Sequence, residues 1–148
     1  MMKLVRALPL VAALIAVSAQ PALAAGDAHL AGGGTATISQ VAFNVTVTDS
    51  GRASGSFTCL MAGRSAFVLP AFGLAHIMKV QATPSAGSVA GKTVTFTGPA
   101  RLIMDNGQHL GVHVRLWANA ATQQFQLTVV EVGTLPVETM LTGKFSVN

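Results

Sequence analysis

From Val41 onward the chain alternates. Val41, Phe43, Val45 and Val47 are apolar, while Ala42, Asn44, Thr46 and Thr48 between them are small or polar. Successive side chains of an extended strand leave opposite faces of the pleat, so a period of two predicts a strand with one buried and one wet face. Val94 and Phe96 alternate with Thr93, Thr95 and Thr97 in the same way, and Phe57, Cys59 and Met61 share alternate positions. The runs are separated by Asp49-Ser50-Gly51, Pro84-Ser85-Ala86-Gly87, Gly98-Pro99 and Asp105-Asn106-Gly107. Threonine-rich and β-branched runs between such turn formers predict an all-β domain of antiparallel strands, either a β-sandwich or a closed β-barrel of about eight to ten strands. Only Leu69 to Val80 resists this reading: Pro70 and Gly73 break it, and Ala75 to Val80 fits a strand or a single helical turn.

In Gln108-His109-Leu110-Gly111-Val112-His113-Val114-Arg115-Leu116-Trp117 two histidines stand four residues apart. On a helix that spacing brings β-carbons to about 5 to 6 Å, close enough to share a zinc ion. In a strand it is about 13 Å, too long for one ion. Leu110, Val112, Val114 and Leu116 alternate with His109, Gly111, His113, Arg115 and Trp117, so the segment is a strand and the histidines are not a metal pair.

Gln123 to Glu131 alternates too, with Phe125, Leu127 and Val129 on one face. A hairpin through Asn119 to Thr122 would set Leu116 against Phe125, Val114 against Leu127 and Val112 against Val129 in the core. On the outer side it would set Trp117 against Gln124, Arg115 against Gln126 and His113 against Thr128. A two-residue turn at Asn106-Gly107 would add Met104 beside His109 outside and pair Ile103 with Leu110 inside. The candidate ligand-binding residues are therefore Trp117, Arg115, His113, Gln124 and Gln126. An aromatic ring beside a guanidinium and amides can stack on a sugar or hold a carboxylate.

The first 24 residues have the form of an export signal: Lys3 and Arg6, an apolar run from Ala7 to Val17, then Gln20-Pro21-Ala22-Leu23-Ala24 with small residues at the cleavage spacing. The expected location is exported, periplasmic or extracellular. The apolar run is too short for a stable membrane anchor, and no cysteine follows Ala24 for lipid attachment. Residues 25–34, with three successive glycines, read as a flexible lead, and residues 35–148 as a single β domain. Setting aside Lys3 and Arg6, seven basic residues face five acidic ones with no basic cluster, which argues against nucleic acid. The single cysteine, Cys59, allows no disulfide within a chain and is expected to be buried.

Catalysis needs groups that converge, and neither the five acids nor Cys59 sits in a recognisable motif, so no enzyme is expected. No cofactor or metal is expected either: Met61, Met78 and Met140 read as core filler, and His76-Ile77-Met78 alone is a weak signal.

Gly32-Gly33-Gly34 leading to Phe43-Asn44-Val45, the Asp105-Asn106-Gly107 turn and a closing strand after Thr142-Gly143 resemble the small exported bacterial β-domains called post-COAP domains, which accompany choice-of-anchor surface proteins. The resemblance implies secretion and a β-rich fold more than an activity. The chain reads as an exported non-enzymatic module, structural or binding a small molecule or surface component of the envelope. One alternative is a barrel carrying a small hydrophobic ligand in a cavity lined by Phe43, Phe57, Phe96, Val114, Leu127 and Phe145. Others are a homo-oligomer, suggested by outward Val130 and Val132, and a hydrolase in which Cys59 or a histidine meets an acid. A carbohydrate-like ligand on the outer face is the remaining partner class.

Overall fold

The computed structural model describes residues 26–62 and 77–148, so the export signal expected over 1–24, and the uncertain stretch as far as His76, lie outside the described residues. Ten strands are present among the described residues: β1 (Ala28–Ala36), β2 (Gln40–Val47), β3 (Ala53–Ala62), β4 (Ile77–Ala82), β5 (Ala86–Ala90), β6 (Thr93–Met104), β7 (His109–Asn119), β8 (Gln124–Val129), β9 (Gly133–Thr134) and β10 (Glu138–Val147). The fold is all-β, and every pairing is antiparallel.

The sheet closes on itself. Its order is β10-β1-β2-β3-β4-β6-β7-β8, and β10 also pairs with β8, so hydrogen bonding runs in a ring. β6 is long enough to pair with two strands in line, β5 along Thr93–Thr97 and β4 along Ala100–Met104. Closure falls to the C-terminal segment: Gly133 to Thr139 runs beside β8, and from Met140 onward the chain runs beside β1.

Alternation fills the interior. Val41, Phe43, Val45, Val47, Phe57, Val94, Phe96, Val114, Leu116, Phe125, Leu127 and Phe145 are all buried. The Phe43 ring lies 5.2 Å from Phe57, 5.6 Å from Phe125 and 4.9 Å from Phe145, and Phe57 lies 5.9 Å from Phe96. Aromatic pairs at such distances add about 0.5–1.5 kcal/mol each beyond the area they bury. Five rings thus meet where a carrier would need its cavity.

The glycine-rich segment is not a lead. From Ala28 it is β1, paired with β2 on one side and β10 on the other. A β-carbon on Gly33 would collide with the Val41 carbonyl and one on Gly34 with the Thr142 carbonyl, while Gly34 also has φ +152°. Glycine inside a strand marks a bend or a close backbone approach, and here both neighbours press on β1 at the curving wall. Composition alone cannot separate such a strand from a linker.

Both expected hairpins are present, with shifted registers. Asn119 stays in β7 opposite Gln124, and its Oδ1 accepts the N–H groups of Ala121 and Thr122 at 2.9 and 3.3 Å, while Gln123 takes φ +56°. Leu116 therefore faces Leu127, Val114 faces Val129, and Phe125 faces Ala118. This is a slip of two residues, which keeps every face and changes every partner.

The Asp105-Asn106-Gly107 turn slips by one. Gly107 donates to the Met104 carbonyl at 3.1 Å with φ +79°, and Met104 N–H donates to Gln108 O at 3.0 Å. That is a three-residue loop with a left-handed glycine rather than a two-residue turn. Ile103 consequently pairs with His109, and Leu102 with Leu110. Met104 points inward and is buried, correcting its expected place outside; Leu110 keeps the inward parity but is 46 % exposed, near the end of the strand.

Candidate functional site

The corrected registers define the outer face of β4, β6, β7 and β8 as a series of rows. Lys79, Ile103 and His109 form one; Gln81, Arg101 and Gly111 the next; then Pro99 with His113, Thr97 with Arg115 and Thr128, and Thr95 with Trp117 and Gln126. Directly opposed residues have β-carbons about 4.5–5.5 Å apart, so each row is a contiguous strip of side chains. Trp117 neighbours Gln126 rather than Gln124, and Arg115 neighbours Thr128 rather than Gln126. Gln124 stands opposite Asn119, at the end of the face.

Several of the five expected residues are tied. Glu131 accepts the backbone N–H of His113 at 2.9 and 3.1 Å and lies 2.7 Å from its Nδ1. Those backbone and side-chain hydrogen bonds hold the Glu131 carboxyl below the usual carboxylate range. Gln126 Nε2 donates to the Leu135 carbonyl at 3.0 Å, and Gln124 Nε2 to Thr139 Oγ1 at 3.4 Å. Arg115 and Trp117 differ: neither makes a side-chain hydrogen bond or ion pair among the described residues. Arg115 is exposed and Trp117 half-buried, flanked by the Thr97, Thr128, Thr95 and Gln126 side chains.

The same face holds residues that sequence reasoning passed over. Arg101 is exposed and makes no ion pair among the described residues. With Gln81, Thr83, Pro99, His109, Leu110 and Gly111 it lines an open groove of about 510 Å³. Gly111, lacking a side chain, leaves the gap between Arg101 and His113. Alternation along β6 marks Arg101 as outward, but the β4–β6 pairing that makes the groove joins strands far apart in sequence. The face therefore offers two unneutralised guanidiniums two rows apart, an indole, hydroxyls and amide oxygens.

A second polar cluster lies inside. Glu138 is 1 % exposed at the start of β10, and its carboxylate accepts the Ile38 N–H at 3.0 Å and the Ser39 hydroxyl at 2.8 to 2.9 Å. Burial pushes its carboxyl above the usual range, against those hydrogen bonds. Cys59, also buried, lies beside Ser39, and burial pushes its thiol up to about 12. Cysteine nucleophiles need a thiolate, and this environment keeps the thiol protonated at neutral pH. Of the outward valines, Val130 is exposed while Val132 packs against the core.

Compared with known proteins, the chain matches no family model, no curated protein and no solved structure. Its chemistry must be read from the face itself. Among the described residues no three His, Cys, Asp or Glu side chains gather in one place.

Proposed function

We propose that the chain is an exported, non-enzymatic β-module that binds an anionic, carbohydrate-like component of the bacterial envelope on the outer face of β4, β6, β7 and β8. The observation that carries this reading is the pair Arg101 and Arg115, each without a carboxylate partner among the described residues and lying two rows apart, with Arg115 in the row next to Trp117. A guanidinium grips a carboxylate through two parallel hydrogen bonds, and an indole face stacks on the apolar side of a sugar ring. Pro99 and Gly111 keep the groove beside Arg101 open, and the His113–Glu131 pair stands between it and Arg115. The resemblance to post-COAP domains and the sequence's export signal support the location. Against the carrier alternative stand the five phenylalanines that meet in the interior. Against a thiol hydrolase stands the raised pKa of Cys59.

Trp117 is the only tryptophan and so reports directly on its own face. Titration with oligogalacturonate should change its emission saturably, more weakly as salt is raised, and neutral dextran oligomers should bind less. The Arg101→Gln/Arg115→Gln variant should lose the response. An emission indifferent to both sugars, or an unaltered response in the double variant, would overturn the proposal.

A further inference from the structure

Three methionines stand side by side on the inner wall. Met61 on β3 is the direct partner of Met78 on β4, and Met78 is the direct partner of Met104 on β6. Their exposures are 0 %, 1 % and 6 %, so all three side chains point inward. The sequence holds six methionines, two of them Met1 and Met2; of the remaining four, only Met140 lies outside this row. Opposed residues on antiparallel strands have β-carbons about 4.5–5.5 Å apart, and methionine's flexible chain lets neighbouring sulfurs turn toward one point.

We infer that Met61, Met78 and Met104 form a trithioether site for a soft monovalent cation, with Cu(I) the physiological candidate and Ag(I) its redox-silent analogue. Thioethers select Cu(I) over the harder divalent ions, and no proton need leave a thioether for it to bind. The row belongs to the barrel end where β3 finishes, β4 begins and the β6–β7 turn closes. Near that end the Glu138 carboxyl holds Ser39, which precedes Gln40, and Gln40 is the direct partner of Leu60 beside Met61. A carboxylate there supplies the counter-charge that a buried cation needs. This site is independent of the outer face and involves binding alone, with no electron transfer.

The test is Ag(I) titration of the exported chain carrying ¹³C-methyl methionine. The ε-methyl resonances of Met61, Met78 and Met104 should shift together and saturate at one Ag(I) per chain, while Met140 stays in place. Met78→Leu, which keeps volume, should abolish the shifts, and Cys59→Ala should retain them. Unmoved resonances in the wild type would overturn the site, a reading that needs no variant to fold. Shifts lost in Cys59→Ala would also overturn it, by assigning the ion to the thiol.

Discussion

Replacing Glu138 with alanine removes the acceptor that holds the β1–β2 turn to the closing strand. The Ile38 N–H at 3.0 Å and the Ser39 hydroxyl at 2.8 to 2.9 Å would lose their partner, and Ser39 is itself buried. Each buried donor left without a partner costs about 1–3 kcal/mol, so the variant should lose about 2–6 kcal/mol. That is a large share of the roughly 5–15 kcal/mol by which ordinary domains are stable. Glu138→Gln should behave differently, because its amide oxygen still accepts from Ile38 and the desolvated charge is gone. The pH dependence separates the two contributions. Burial raises the folded carboxyl of Glu138 above its ordinary value of 4.5, so between that value and the raised one the folded state holds the proton more tightly than the unfolded state. Stability is then greatest below the window and falls as pH rises through it. Glu131 has the opposite sign: its depressed carboxyl contributes stability above the ordinary value that is lost as pH falls through the depressed one, so the two windows do not overlap. Urea unfolding followed by Trp117 emission between about pH 2 and pH 8 reads both effects. A Glu138→Gln chain that keeps the wild-type fall above the ordinary carboxylate range, or a Glu138→Ala chain within about 1 kcal/mol of wild type, would refute the reasoning.

Gln123 bridges the seam where β10 leaves β8: its Nε2 donates to the Phe145 and Ala120 carbonyls at 2.8 and 2.7 Å, and its Oε1 accepts the Phe145 N–H at 3.0 Å. Gln123→Ala should cost about 2–4 kcal/mol for three bonds and raise hydrogen exchange at the Phe145 amide. Gly34→Ala, colliding with the Thr142 carbonyl at φ +152°, should cost about 3 kcal/mol or more in urea unfolding and selectively expose amides along β1 and β10. Phe43→Ala, which removes a ring touching three others, should cost about 3–5 kcal/mol by the same measure.

The fold class was legible because alternation is a local property: Val41, Phe43, Val45 and Val47 of β2, Val94 and Phe96 of β6, and Phe125, Leu127 and Val129 of β8 all lie inside as the period of two requires. Register was less legible, because it depends on turn chemistry one residue wide. Asn119 capping its own turn and Gly107 turning left-handed each moved a hairpin, and the second move transferred Met104 from the outer face to the inner row. Arg115, His113, Trp117 and Gln126 share a face as alternation along β7 and β8 predicts. Arg101 and the groove were hidden because β4 and β6 are distant in sequence, and β1 was hidden because glycines chosen for close backbone approach have the composition of a linker. The Glu138–Ser39–Cys59 cluster likewise joins three strand ends that no sequence period connects.

The central claim is that the outer face holds an envelope ligand through Arg101, Arg115 and Trp117. Native mass spectrometry of the protein purified from the exported fraction of its own host tests it most directly. A bound carbohydrate-like mass that disappears on denaturation, and is missing from the Arg101→Gln/Arg115→Gln variant purified the same way, is the expected result. A bare chain, or the same bound mass on the double variant, would contradict the account.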